Sequence, residues 1–366
     1  MWNNVAGQEK VKEKLKAIRK SGKIGHAYIF HGIEGTGKDA SAIEFAKLLN
    51  CQNPVNDEPC DKCINCKNIS KLRSELFNVI CAIPAGRSDS GDSDPVEKLS
   101  PADFENYLEQ MELKSKNPYH KINIPNANNI RIDSIRELVN KIYLTSGKHT
   151  KVFLITEADK MKAEAANSLL KVLEEPPKQS VLILTTSKLN SLPQTIIGRC
   201  QKIFFEPLDD EIVEKKLAEI QDMKYSSTDI KLASKLSAGS YTRAIGLLDS
   251  GISNTRETAI LFLVSILRND LAEVTAIVRG LTSKNDKEKL RNLFLFLIVW
   301  FRDVMLAQQK CGELITNLDK TDRIEKFTQN YTQANIYRII QAIGEAEEEL
   351  LQNVQAQLVF LTWLLD

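Results

Sequence analysis

The segment Gly32-Ile33-Glu34-Gly35-Thr36-Gly37-Lys38-Asp39 constrains this chain more than any other feature. It sits between an apolar stretch, Ala27-Tyr28-Ile29-Phe30, and a helical pattern through Ile43, Ala46, Leu48 and Leu49. A strand, a glycine-rich turn and a helix in that order set backbone N–H groups and a lysine around phosphate. The motif normally continues with Ser or Thr, whose hydroxyl ligates Mg²⁺. Asp39 holds that position here.

A second departure lies on the same side of the chemistry. The apolar strand that should end in Asp-Glu, one carboxylate for Mg²⁺ and one for the attacking water, ends Leu154-Ile155-Thr156-Glu157. Glu157 is in place, and Thr156 replaces the metal-holding carboxylate. Asp159 follows beyond the strand and cannot simply substitute. Losing one group that stabilises transition-state charge costs ~10²-fold or more in rate. Gly32, Gly35, Thr36, Gly37 and Lys38 remain, so three readings stay open. They are binding without competent hydrolysis, a relic loop that binds nothing, and hydrolysis with Asp39 as an unusual metal ligand.

Four of the seven cysteines cluster as Cys51, Cys60, Cys63 and Cys66. Close Cys-x2-Cys pairs direct thiolates at one metal, and four thiolates complete the tetrahedron that Zn²⁺ prefers. Turn formers fill the gap (Asn53, Pro54, Asn56, Asp57, Pro59). The alternative, disulfides or reactive thiols, conflicts with a reducing compartment. A structural zinc with no open coordination position is expected. Cys81, Cys200 and Cys311 stand alone and read as core packing.

Up to about residue 206 the chain alternates helix-like and strand-like segments, as in an α/β domain with a mostly parallel sheet. Strands are expected at Phe77–Ile83, Lys151–Ile155, Val181–Thr185 and Ile203–Phe205. Helices are expected at Glu9–Lys20, Ile130–Tyr143 (capped by Asp133) and Ala163–Leu173. Residues 84–128 interrupt the rhythm as an insertion with a short helix near Asp103–Leu113. Its stretch Gly86-Arg87-Ser88-Asp89-Ser90-Gly91-Asp92-Ser93-Asp94-Pro95 is too polar to pack. Residues 207–250 read as three short helices, and 251–366 as a larger all-helical part.

Lys plus Arg (49) nearly balance Asp plus Glu (48). Any contact with nucleic acid is therefore local or shared with partners. Met1-Trp2-Asn3-Asn4 does not open a signal peptide. The apolar run Leu293–Phe301 is far short of the ~20 residues that span a bilayer. A cytoplasmic protein without membrane association is expected.

Further motifs make the pattern specific. They are Leu169-Leu170-Lys171-Val172-Leu173-Glu174-Glu175-Pro176-Pro177, the strand end Thr185-Thr186, and Arg199-Cys200. Val5-x-Gly7-Gln8, His26-Ala27-Tyr28-x-Phe30-x-Gly32 and the four-cysteine knuckle accompany them. Together they resemble the AAA+ clamp-loader family of bacterial DNA polymerase III, closely over the first ~200 residues. Weaker echoes follow in Gly239-Ser240-Tyr241-Thr242-Arg243-Ala244 and Trp300-Phe301-Arg302-Asp303.

The resemblance implies an AAA+ P-loop domain (1–206) carrying the knuckle (51–66), a helical lid (207–250) and an all-α collar for oligomerisation (251–366). It also implies service within a DNA-directed DNA polymerase. The gamma/tau motor and delta subunits, the sliding clamp and primer-template DNA would be partners. Degraded nucleotide motifs point to the delta-prime type, and a gamma/tau-like motor that hydrolyses its own ATP is the alternative. By position, Arg199 matches an arginine that reaches a neighbour's γ-phosphate, although Gly198 replaces the usual preceding serine. Thr186 and Arg243 match sensor residues. Cys51, Cys60, Cys63 and Cys66 match the zinc ligands.

Overall fold

The computed structural model describes residues 2–86, 94–144, 148–220, 225–282, 287–351, 354–355 and 359–360. The chain divides into two compact units, Met1–Ile220 with Ser237–Arg243, and Gln221–Leu236 with Ala244–Asp366.

The first unit is built on a five-stranded, wholly parallel sheet. Its strands are β1 (Ala27–His31), β2 (Phe77–Ile80), β3 (Lys151–Ile155), β4 (Ser180–Thr186) and β5 (Gln201–Phe204), in the order β2-β3-β4-β1-β5. The central strands are apolar on both faces and almost wholly buried, as a sheet covered on two sides requires. Side chains alternate across it. Ala27, Ile29, Phe153, Ile155, Leu182 and Leu184 enter one core with α5 (Ile132–Ile142), α6 (Ala163–Glu174) and α7 (Gln194–Ile197). On the opposite face, Tyr28 meets Phe45 edge-on at 5.8 Å. Phe45 belongs to α2 (Lys38–Asn50), which α1 (Glu9–Ser21) and α3 (Ile64–Ser70) flank. Each of these large buried side chains contributes about 1.5–3 kcal/mol on leaving water.

Two local expectations are corrected. Strand β2 stops at Ile80 rather than Ile83, because residues 81–83 leave the ladder: Cys81 and Ile83 turn into a smaller core, while Ala82 joins the main one. Helix α5 starts after Arg131, and Asp133 lies in its first turn without capping it. There the carboxylate still favours the positive end of the helix dipole.

The interruption expected at 84–128 holds a 16-residue helix, α4 (Pro101–Lys116). Ser100 caps it by accepting the Asp103 N–H at 3.2 Å, and Pro101 starts it with a preset φ. Leu99, Ile122 and Ile124 are buried with Cys81 and Ile83, and Tyr107 and Met111 of α4 lie against them. The polar stretch expected not to pack lies, at 87–93, outside the described residues. Helix α8 (Asp210–Ala218) completes this unit.

The second unit is helical. It comprises α9 (Ser227–Leu236), the end of α10 (Tyr241–Asp249), α11 (Ile252–Leu267), α12 (Leu271–Thr282), α13 (Lys287–Gln308), α14 (Thr321–Asn330) and α15 (Ile336–Leu351). Helix α13 is its centre, touching α11, α12, α14 and α15. It contains the buried run Leu293, Phe294, Phe296 and Leu297, with Phe294 stacked on Phe360 at 5.2 Å. Toward the C-terminus Leu350, Val359 and Phe360 are buried, while Val354 is 38% exposed. Among the described residues no helix is long and apolar enough to cross a membrane.

Candidate nucleotide site and cysteine knuckle

Strand β1 runs straight into the glycine-rich loop, and β4 beside it ends at Thr185 and Thr186. The carboxyl ends of a parallel sheet are where ligands bind in folds of this kind. Gly37 adopts φ +91° as the residue before α2, a conformation that side chains other than glycine's avoid. Lys38 follows it. Its ammonium is almost fully enclosed and donates to the carbonyls of Gly32 at 2.8 Å and Ile33 at 2.5 Å. Burial lowers its pKa, and the charges of Asp39 and Glu34 oppose that shift. Thr36 is also buried and turned inward, donating to the Ile33 carbonyl at 3.0 Å.

Asp39 sits in the first turn of α2, where the helix dipole favours an anion. Its carboxylate receives Lys114 Nζ on one oxygen at 2.5 Å and Thr185 Oγ1 on the other at 2.7 Å. Burial alone would raise the Asp39 pKa. The charge and hydrogen bond of Lys114, with help from Thr185, outweigh that and hold the group below the usual carboxylate range.

The remaining candidates surround this pair. Glu157 takes a left-handed backbone, φ +47°, just past β3. It pairs with Lys160 at 2.8 Å and Lys121 at 3.4 Å. Thr156 is buried and donates both its N–H and its hydroxyl to the Ile80 carbonyl, so it serves the sheet. Thr186 donates to Asp159 at 2.6 Å and lines the cavity beside the loop. That cavity measures about 70 Å³. Gly35, Gly37, Lys38 and Asp39 line it, while Gly32 and Thr36 do not. From the end of the unit it is Thr242 that reaches the cavity, and Arg243 is exposed beside it.

The four cysteines converge. Sγ atoms of Cys51, Cys60, Cys63 and Cys66 all lie within 4.8 Å of one another. A tetrahedral Zn²⁺ with Zn–S of about 2.3 Å calls for sulfurs about 3.8 Å apart, so this cluster can hold a metal. The ring is tightened by N–H to sulfur contacts from Cys60 to Cys51 (3.3 Å), Cys63 to Cys60 (3.3 Å) and Cys66 to Cys63 (3.5 Å). Backbone N–H groups of Cys63 and Lys62 pull the Cys60 thiol down to about 6, whereas burial pushes the Cys51 and Cys66 thiols up. The knuckle is also tied to the loop helix. Lys47 of α2 bridges Glu44 at 2.7 Å and Asp61 at 2.6 Å. Of the lone cysteines, Cys81 and Cys200 are core residues, whereas Cys311 is only half-buried just past α13.

Arg199 lies between α7 and β5, with its side chain 38% exposed. It donates to the Thr195 carbonyl at 3.0 Å and to Glu174 at 2.8 Å. Two motifs far apart in sequence, the Leu-Glu-Glu-Pro-Pro turn and Arg199-Cys200, thus meet as one surface ion pair.

Comparison with known proteins agrees with this arrangement. Residues 7–209, more than half of the chain, match the family described as DNA polymerase III, delta subunit. Residues 262–366 match its counterpart described as DNA polymerase III, delta subunit, C terminal. The chain belongs to this family. Relatives carry the names of three different subunits. The Bacillus subtilis DNA polymerase III subunit tau is 25% identical over 95% of this chain, which spans 58% of that protein's length. The Bacillus subtilis subunit delta' is 28% identical over 92% of this chain and 88% of its own length. The Buchnera aphidicola subunit gamma is 28% identical over 80% of this chain and 68% of its own. The parallel α/β sheet with a glycine-rich loop after its first strand, followed by a helical part, is the architecture expected from the motifs.

Sequence reasoning missed Lys114, Tyr119, Lys121, Thr185 and Thr242, all of which line the cavity. Thr185 could have been found from the register, since it pairs with Phe30 next to the loop. The others carry no local signal, because only folding brings residues 114–121 onto residues 34–39.

Proposed function

We propose that the chain is a delta-prime-type clamp-loader subunit that does not itself turn over ATP. In this reading its helical second unit assembles with gamma/tau motor and delta subunits in the cytoplasm. It supplies Arg199 to the neighbour's ATP, and the complex sets a sliding clamp on primer-template DNA. The supporting observation is Lys38. The lysine that would grip phosphate is bonded to the carbonyls of its own loop, and Asp39 and Thr156 stand where Mg²⁺ ligands belong. The knuckle would hold one structural zinc through Cys51, Cys60, Cys63 and Cys66. The proposed boundaries are 1–206 for the AAA+ domain, 207–250 for the lid and 251–366 for the collar.

Arg199 suits transfer between partners, because a half-exposed ion pair with Glu174 is worth only about 0–1 kcal/mol and is readily exchanged for phosphate. Arg199→Ala should leave folding and assembly intact and lower ATP turnover at the adjoining site by ~10³-fold or more. Unchanged turnover in the reconstituted complex would remove the trans-acting role. Turnover by the isolated chain that Lys38→Ala abolishes would replace this reading with the motor one.

A further inference from the structure

The segment from α4 to residue 121 is folded onto the loop by its own small core, and it brings three side chains to the place a nucleotide would use. Lys114 is the deepest, only 2% exposed. A buried ammonium is costly unless it is paired and hydrogen-bonded. This one binds Asp39 Oδ2 at 2.5 Å and the His120 carbonyl at 2.7 Å. Asp39 occupies the position of the Mg²⁺-ligating hydroxyl, so the group bound to its side chain stands where the metal would. The carboxylate meanwhile supplies negative charge at the start of α2, where phosphate would otherwise lie.

Tyr119 covers the loop itself. A Cβ on Gly37 would fall 2.7 Å from Tyr119 Oη, and that hydroxyl accepts the Ala6 N–H at 2.8 Å. Lys121 closes the outer side, bridging Glu34 at 3.0 Å and Glu157 at 3.4 Å. The space left measures about 70 Å³. Small-molecule sites run to ~300 Å³ and more.

We propose that residues 101–121 form an internal plug of the P-loop. The Lys114 ammonium replaces the divalent cation on Asp39, Lys121 neutralises Glu34 and Glu157, and Tyr119 covers the turn. Divalent cation and nucleotide enter only when this segment is displaced. The plug depends on contacts within this chain, so it stands or falls apart from the subunit assignment, which Arg199 tests in the assembled complex.

The test is titration of the isolated full-length chain with Mn²⁺ and ATP, following free Mn²⁺ by electron paramagnetic resonance. Lys114→Met keeps the length of the side chain and removes its charge. It should bind Mn²⁺-ATP at least tenfold more tightly than the wild type. Its melting temperature should drop in chelator and recover with Mn²⁺, because the metal replaces the lost ammonium. Should that variant not fold, Asp39→Thr combined with Lys114→Met leaves no unpaired buried charge and returns the motif's hydroxyl. It should show the same tenfold gain. Wild-type protein that already binds Mn²⁺-ATP as tightly as either variant, or variants that bind no better than wild type, would overturn the plug.

Discussion

Lys47→Met should cost the first unit about 3–5 kcal/mol at pH 8, the usual result of removing one partner from a buried ion pair. The magnitude follows from who is left behind. Lys47 is 1% exposed and bridges two carboxylates, of which Glu44 is fully buried and Asp61 is 39% exposed. Asp61 can rehydrate where it stands. Glu44 would keep a single bond, from Asn4 Nδ2 at 2.8 Å, and its second oxygen already lacks a partner. Burial pushes the Glu44 pKa up, and Lys47 is the main group opposing it. In the variant that opposition is gone and the folded-state pKa rises further. A carboxyl whose folded pKa exceeds its unfolded value binds more protons when folded, so stability falls as pH rises between the two. Each unit of additional shift is worth about 1.4 kcal/mol. The deficit should therefore be clearly smaller at pH 5 than at pH 8. Urea unfolding followed by circular dichroism at both pH values reads it. Adding Glu44→Gln to Lys47→Met should recover most of the loss at pH 8. A deficit below about 1 kcal/mol, or one independent of pH, would refute the reasoning.

Other expectations test the knuckle and the helical unit. Metal analysis should find about one zinc per chain, and Cys66→Ala should abolish it; undamaged protein without zinc would remove the knuckle assignment. Chelation should also lower the melting temperature of the first unit, since Asp61 links the cysteine loop to Lys47. Asp303 is completely buried and accepts the N–H groups of Thr316 (3.1 Å) and Asn317 (2.8 Å) and the Asn317 amide at 2.8 Å. Asp303→Ala leaves those donors unsatisfied and should cost about 3 kcal/mol. A change within 1 kcal/mol in thermal unfolding would show that water takes the carboxylate's place.

Much of the site was legible because its chemistry is local. The glycine spacing requires the positive φ seen at Gly37, and four cysteines within sixteen positions need only a tight turn to converge. Buried parallel strands betray themselves as continuous apolar runs such as Val152–Ile155. Errors fell where a segment's surroundings decide. Residues 81–83 are as apolar as a strand, yet they leave the ladder where β3 pairing ends, Cys81 and Ile83 filling a side core and Ala82 the main one. Asp133 looks like a helix cap, but the helix starts at Ile132, two positions earlier than that role needs.

The sequence alone determined the P-loop pattern, the metal-capable knuckle and the two departures from the nucleotide motif, Asp39 and Thr156. It could not determine what those substitutions are for, since an aspartate next to a P-loop lysine is equally a metal ligand or a stray charge. The tertiary structure decided between local possibilities by bringing Lys114 from seventy-five positions away to within 2.5 Å of Asp39. Coulomb attraction acts through space rather than along the chain. A buried charge therefore takes its meaning from the partner that folding places beside it.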